Sequence, residues 1–120
     1  MRSDRERLSD VLEAIERVAR YAARGRAAFE QDELIQTWII HHLQVIGEAC
    51  RSVSEEMKEE HPEVPWNKIM GMRNILVHHY FGLDVDAVWV VVERDLPDLK
   101  RRIEALVKRP DKGADAAGAE

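Results

Sequence analysis

The chain of 120 residues is long enough for one domain with its own core, and 45% of its residues are hydrophobic. Its single cysteine, Cys50, excludes an intramolecular disulfide and fits a reducing compartment. No apolar run approaches the ~20 residues that span a bilayer, and no charged-then-apolar leader opens the sequence, so it predicts a cytoplasmic protein. The net charge of −5 argues against indiscriminate nucleic-acid binding, which requires excess Lys and Arg.

Two apolar patterns at helical spacing occupy the first half of the chain. The first predicts a helix that has Ser3 or Asp4 as its N-cap and ends near Gly25. The second predicts one continuous helix from near Asp32 through Met57. This helix ends before the next proline, because a residue that precedes a proline is disfavoured in the helical conformation.

Two further helices are predicted in the second half. The third begins around residues 65–66 and ends at Gly82, since glycine readily adopts the left-handed conformation that terminates helices. The fourth begins after Asp84, and helical spacing continues on both sides of its β-prone run at 88–92. Pro97 lacks the N–H that would bond the carbonyl four residues earlier, so a kink or break is expected there.

Four amphipathic helices with short connections predict an all-α fold, an up-down four-helix bundle with a kinked last helix. Residues 1–109 form the one domain, and residues 110–120 contain little to bury and are predicted to be a disordered tail. The histidine pairs at 41–42 and 78–79 are adjacent residues, whose side chains point about 100° apart on a helix. They do not match a metal site, and no metal or cofactor is expected.

One stretch departs from the acidic average of the chain. With 23 Asp and Glu among 120 residues, a window of 20 should hold about four. The window from Val64 to Leu83 holds none, and it contains Lys68, Arg73 and two histidines. This is where a polyanion could dock.

Arg73 falls on the apolar stripe of the third predicted helix, where an unpaired charge is costly. A structural ion pair, for example with Glu48 on the second helix, is one explanation. The other explanation is functional and rests on the residues near Arg73 in the sequence. Both stay open on the residue pattern alone.

His78 lies five residues after Arg73, about 140° around an ideal helix and ~7.5 Å along it. Asn74 shares the face of His78 and could orient its imidazole, and Tyr80 returns to the face of Arg73. Arginine binds phosphate oxygens bidentately, and histidine acts as general acid or base near neutral pH. Together they supply what metal-free RNA cleavage requires: a base, a cation for the phosphorane and a proton for the leaving oxygen. An Arg and a His at this spacing also occur by chance in many helical proteins.

The surroundings of this pair carry a more specific signal. From about residue 4 to 107 the sequence resembles the HepT-like proteins of the HEPN family. Several blocks match in order and at family-like spacing: Ile46-Gly-Glu-Ala49, Val64-Pro-Trp66, Gly71-Met-Arg-Asn-Ile-Leu-Val-His-His-Tyr80 and Val88-Trp89.

The resemblance implies an HEPN-type bundle and a metal-independent ribonuclease toxin of a type VII toxin–antitoxin system. The family motif Arg-x4-His-x-Tyr falls on Arg73, His78 and Tyr80 without departure. It implies that Arg73 and His78 are the catalytic pair, that Asn74 supports them, and that two protomers form a homodimer with a shared cleft. It also implies that an MntA-like minimal nucleotidyltransferase silences the toxin by adenylylating Tyr80. Among RNA substrates, tRNA is the first to test.

A different class of function shares the same bundle. A non-catalytic HEPN module would bind nucleotide or substrate for a partner nucleotidyltransferase, and fold alone does not separate it from a nuclease. The intact set of Arg73, His78 and Tyr80 favours the nuclease, because a binding module does not need this combination.

The other conspicuous side chains have structural explanations. His42 lies on the core stripe of the second helix and is expected to make a buried hydrogen bond, and Cys50 is expected to pack as a small apolar residue. Structural or surface roles are also expected for His41 and His61. The three tryptophans lie at core spacings and are expected to pack: Trp38, Trp66 and Trp89.

Overall fold

The computed structural model describes residues 2–78 and 85–108, with side chains at 2–72 and 85–108. Every regular element in these ranges is a helix, which confirms the all-α class. The elements are α1 (Asp4–Ala22), α2 (Arg26–Gln31), α3 (Glu33–Ser52), α4 (Glu55–Glu60), α5 (Trp66–His78), α6 (Val85–Val90), a π-helical turn (Val91–Asp95) and α7 (Leu96–Lys108).

The first predicted helix is confirmed as α1. Ser3 is its N-cap and forms a capping box with Glu6, in which the Ser3 hydroxyl accepts from the Glu6 N–H at 3.1 Å. The chain turns at Gly25, whose φ of 96° suits a glycine, and then forms the short helix α2. The sequence pattern did not predict α2, which buries the whole side chain of Phe29.

The second predicted helix is wrong in its last turn and a half. Helix α3 ends at Ser52, Val53 is extended, and Ser54 begins the separate helix α4 by accepting a hydrogen bond from the Met57 N–H. The apolar spacing continues through Val53 and Met57, which is why the pattern predicted one helix. The break is stabilised from outside, because the Asp4 carboxylate accepts from the Ser54 N–H at 2.9 Å and from its hydroxyl at 2.6 Å.

The interruption expected around Pro97 is a π-helical turn directly before it. Within the segment Val91–Asp95 the helix widens, and the Leu96 N–H bonds the carbonyl of Val91, five residues earlier. The helix continues directly as α7, with Pro97 as its second residue, so the residue that lacks an N–H comes just after the widened turn. The β-prone run at 88–92 is helical, as predicted.

The long helices alternate in direction. Helix α3 packs on both α1 and α5, and α1 also packs on α7. Residues from all of them form one core, whose fully buried members include Leu8, Val18, Phe29, Ile39, Leu43, Ile46, Val64, Leu99 and Ile103. The predicted up-down bundle is therefore observed.

The alternation gives the bundle two distinct ends. At one end α1 begins, α3 ends, α5 begins and α7 ends; contacts between Asp4 and Ser54 and between Arg5 and the Val107 carbonyl lie here. We call it the anchored end. At the opposite end α1 ends, α3 begins, α5 ends and α6 begins, and Arg26 pairs with Asp86. We call it the motif end.

Two predictions lie outside the described residues. The helix stop at Gly82 is one, and the disordered tail at 110–120 is the other.

Candidate active site

Helix α5 holds the backbone of three of the four predicted site residues. Arg73, Asn74 and His78 lie in the last two turns of Trp66–His78, towards the motif end. Their side chains lie outside the described part of the structure, and Tyr80 lies outside it entirely. The catalytic pairing of Arg73 with His78 and the alternative ion pair of Arg73 with Glu48 both stay predictions.

The start of α5 is fixed to its surroundings by two side-chain hydrogen bonds. The Trp66 indole is buried and donates from Nε1 to the His61 carbonyl at 2.9 Å. From α7, Arg102 Nη1 donates to the Glu63 carbonyl at 2.7 Å. Two carbonyls of the loop before α5 are therefore bonded by side chains, and these contacts fix the point at which the helix that carries the motif starts.

Along its length α5 is packed against α3. Trp66 and Ile69 lie on the apolar stripe predicted for this helix, and at 6% and 4% exposure both belong to the core. Met72, which is not on that stripe, is also 4% exposed. The helices approach closely at Gly47, where a Cβ atom would lie 3.6 Å from the Ile69 carbonyl oxygen. The backbone of Arg73 follows Ile69 by one helical turn, on the side of α5 that meets α3.

In three dimensions, a carboxylate does lie beside the window from Val64 to Leu83. Lys68 Nζ lies 2.9 Å from a carboxylate oxygen of Asp95, a residue of the π-helical turn. Sequence reasoning missed this pair because Asp95 is 27 residues away. Lys68 is therefore engaged by a carboxylate, and the cationic character of the window depends on its remaining basic residues.

The structural explanations for His42 and Cys50 are confirmed. His42 is 6% exposed, and its Nδ1 donates to the Trp38 carbonyl at 2.8 Å. Cys50 is fully buried, and burial raises the pKa of its thiol to about 12, although the nearby Lys58 acts in the opposite direction. A thiol in this environment is not a nucleophile at neutral pH.

The tryptophans also pack as expected. Trp66 and Trp89 are 6% and 8% exposed, and the Trp89 indole donates to Glu93 at 2.7 Å. Trp38 is half-buried and packs against the core. In the described residues, no group of three or more His, Cys, Asp or Glu side chains is placed to hold a metal ion.

Comparison with known proteins shows which family this chain belongs to. The sequence profile of the family described as ribonuclease HepT-like matches residues 11–106. This chain belongs to the HepT-like ribonuclease family. The match spans α5 and all four predicted site residues, so the resemblance inferred from the separate sequence blocks is confirmed.

Two relatives illustrate the family. A protein of Thermococcus cleftensis named "Probable ribonuclease HepT" is 38% identical over 110 residues, which cover 89% of this chain and 98% of the relative. A protein of Methanocaldococcus jannaschii named "Putative RNase" is 38% identical over 78 residues, which cover 65% of this chain and 72% of the relative. No solved structure matches the chain.

A helix that crosses a membrane must be both long and apolar. Within residues 2–78 and 85–108, no helix is both long enough and apolar enough to cross a bilayer.

Proposed function

We propose that this HepT-like chain is a metal-independent endoribonuclease toxin, with Arg73 and His78 as its catalytic pair. The observation that carries the proposal is the intact Arg-x4-His-x-Tyr motif inside the segment that matches the ribonuclease family. The packing of α5 supports it, because the helix that bears the motif is fixed at its start and along the face that meets α3.

The proposed reaction is an internal transesterification followed by release of the 3′ fragment. His78 removes the proton of a ribose 2′-hydroxyl, and the 2′ oxygen bonds to the adjacent phosphorus. The bond from phosphorus to the leaving 5′ oxygen breaks, and that oxygen takes a proton from an acid. The products are a 2′,3′-cyclic phosphate and a 5′-hydroxyl. Arg73 neutralises the charge that gathers on the phosphorane, and Asn74 orients the imidazole of His78.

A homodimer resolves a difficulty in this chemistry. The base and the acid act on opposite sides of the phosphorus, and one chain has one motif histidine. Two copies that share a cleft would supply two His78 side chains, one for each role. The proposed active unit is therefore a homodimer, and each copy contributes a base or an acid to a given cleavage.

The proposed control of the toxin acts at Tyr80. An MntA-like nucleotidyltransferase antitoxin, as the proposed partner, transfers AMP to this hydroxyl as part of a type VII toxin–antitoxin system. The added group brings bulk and a negative phosphodiester close to Arg73, which would exclude RNA and compete for the cation. A Tyr80→Phe protein is expected to remain toxic in cells and to escape its antitoxin; continued neutralisation of that variant would contradict this control mechanism.

Catalysis is tested by incubating the purified protein with total RNA and with tRNA in the presence of EDTA. The wild type is expected to cut RNA with the chelator present, and His78→Ala is expected to lose about 10²–10⁴-fold in rate. His61→Ala is the matched control, because it removes a histidine at the anchored end and should leave the rate unchanged. Intact RNA with the wild type would overturn the nuclease, and tight binding without cleavage would favour the non-catalytic module. Cleavage that EDTA abolishes would overturn metal independence.

A further inference from the structure

A groove at the motif end is separate from the predicted catalytic residues in sequence. It lies between the end of α1 and the start of α3, and its volume is about 560 Å³. Aromatic rings line much of it: Tyr21, Trp38 and His41. Leu34 at its rim is 80% exposed, which is unusual for a large apolar side chain.

The rings are held in fixed positions. Tyr21 and Trp38 meet edge to face, with their centroids 5.3 Å apart. The Trp38 indole donates from Nε1 to the Arg17 carbonyl at 2.9 Å, so its polar atom is already satisfied within the fold. The Trp38 ring also packs against the ring of the buried His42, with the two centroids 4.4 Å apart. A rigid, half-exposed aromatic surface of this kind loses little conformational entropy when a flat ligand stacks on it.

Positive charge lies beside the rings. The Arg24 guanidinium lies over the Tyr21 ring, 5.0 Å from its centroid, and in the described part of the chain no carboxylate pairs with it. Asp32 also lines the groove, but one of its oxygens accepts from the N–H groups of Leu34 and Ile35 as the N-cap of α3. The groove thus combines stacking surface with a guanidinium that is available to a phosphate.

The position of the groove relates it to the motif. Helices α1 and α5 both run towards the motif end, and α3 between them starts there. Packed helices lie about 8–10 Å apart, a separation that a few nucleotides can span. The groove is therefore within reach of an RNA strand bound at the end of α5.

We propose that this groove is an RNA subsite, in which an unpaired base stacks on Trp38 and His41 and the adjoining phosphate meets Arg24. Single-stranded RNA is recognised in this way, by aromatic side chains and arginine planes that accept splayed bases. The inference rests on the proposed ribonuclease function and deepens it, because it makes unpaired RNA rather than duplex the substrate. The principal rival occupant is a second copy of the chain, which would need about 800 Å² of self-complementary surface per partner.

Tryptophan fluorescence gives a direct test. Trp38 is half-exposed whereas Trp66 and Trp89 are buried, so a stacked base should quench Trp38 alone. His78→Ala protein is titrated with single-stranded oligoadenylate and with a blunt RNA duplex. Quenching is expected with the single strand and not with the duplex. In the double variant that also carries Trp38→Phe, quenching should disappear while the Kd, measured with labelled RNA, stays within about twofold, since phenylalanine still stacks.

Affinity variants provide the second test. In the His78→Ala background, Arg24→Gln and His41→Ala are each expected to raise the Kd for single-stranded RNA about tenfold. Arg51→Gln is the matched control, because it removes one exposed arginine of α3 at the anchored end and should not change the Kd. With a normal active site, the Arg24→Gln and His41→Ala proteins should show a raised KM and an unchanged kcat.

The outcomes separate this subsite from the proposed catalysis. If the wild type cleaves RNA and neither variant raises the KM, the subsite is wrong and the nuclease stands. If RNA quenches Trp38 but is never cut, the subsite stands and the nuclease is wrong. Sedimentation of a Leu34→Glu protein tests whether a second copy of the chain occupies the groove instead. If this substitution converts a dimer into monomers, the groove is an interface between copies and the subsite is wrong.

Discussion

The two ends of the bundle use their polar and aromatic groups differently. At the anchored end these groups make hydrogen bonds within the protein: Asp4 binds Ser54, and Trp66 donates its indole hydrogen to a backbone carbonyl. At the motif end Trp38 is also hydrogen-bonded, yet its ring is half-exposed beside Tyr21 and the unpaired guanidinium of Arg24, within the described residues. Side chains at the anchored end therefore stabilise the fold, whereas those at the motif end stay accessible to a ligand.

This difference between the ends matters for α5, which contributes to stability at one end and bears the proposed catalytic motif towards the other. Helix α5 begins at the anchored end, where Trp66 and Ile69 of its first turn are buried, and carries the motif towards the other end. A catalytic group needs a rigid support that is positioned by contacts which do not themselves touch the substrate. The anchored end provides that support, and we therefore expect substitutions there to change the unfolding free energy and those at the motif end to change the kinetics.

The largest effect is expected from Trp66→Ala. It removes a buried indole and the hydrogen bond to the His61 carbonyl, and truncating a buried tryptophan costs about 3–5 kcal/mol of unfolding free energy. Urea denaturation measures the loss. Trp38→Ala is the matched variant at the motif end and should cost clearly less, because that ring is half-exposed. Equal losses at the two positions would break the contrast between the ends.

Much of this fold was predictable because the helices are long and periodic. The capping box at Ser3 and the buried stripe of Trp66 and Ile69 follow from local sequence alone. The break at Val53 did not follow, because apolar spacing continues across it and the stabilising partner of Ser54 is Asp4, 50 residues away. Periodicity reports which face is buried and cannot report a hydrogen bond between distant segments.

The site was predictable to a different degree. Sequence identified Arg73 as a cation on an apolar stripe, but the roles of His78 and Tyr80 came from family resemblance. The structure was needed to find the pairing of Lys68 with Asp95 and the aromatic groove at Trp38, because each joins residues from different helices. Residue spacing within one helix contains no information about either.

The second effect concerns Cys50 and pH. Its folded pKa of about 12 lies above the ordinary value of 9.0, so the thiol's contribution to stability is complete below pH 9 and is lost as the pH rises towards 12. The loss is about 1.4 kcal/mol per pH unit in that window. Urea unfolding of the wild type and of Cys50→Ala should show the wild type's advantage shrinking above pH 9. A constant difference between the two proteins up to pH 11 would show that Cys50 is more hydrated than its burial indicates.

The third effect is at Gly47, where α3 supports the motif helix. An alanine Cβ would meet the Ile69 carbonyl oxygen at 3.6 Å, an ordinary contact, so Gly47→Ala should be neutral or stabilise by about 0.5–1 kcal/mol. Gly47→Leu should cost about 1–3 kcal/mol by overpacking and should also reduce RNA cleavage by displacing α5. Stability is read from urea denaturation and activity from cleavage rate. Full activity in the leucine variant would mean that the position of α5 does not depend on this contact.

The smallest effect is expected at Lys68, a cation of the motif-bearing helix that pairs with Asp95 within the fold. Its side chain is 63% exposed and pairs with Asp95, so Lys68→Gln should cost less than about 1 kcal/mol, and high salt should erase the difference. Because the charge is already engaged, the same variant should bind RNA almost as well as the wild type. Asp95→Asn, which releases Lys68, should instead tighten RNA binding and steepen its salt dependence. If Lys68→Gln weakens RNA binding as much as Arg73→Gln does, the ion pair opens in the complex and Lys68 belongs to the RNA surface.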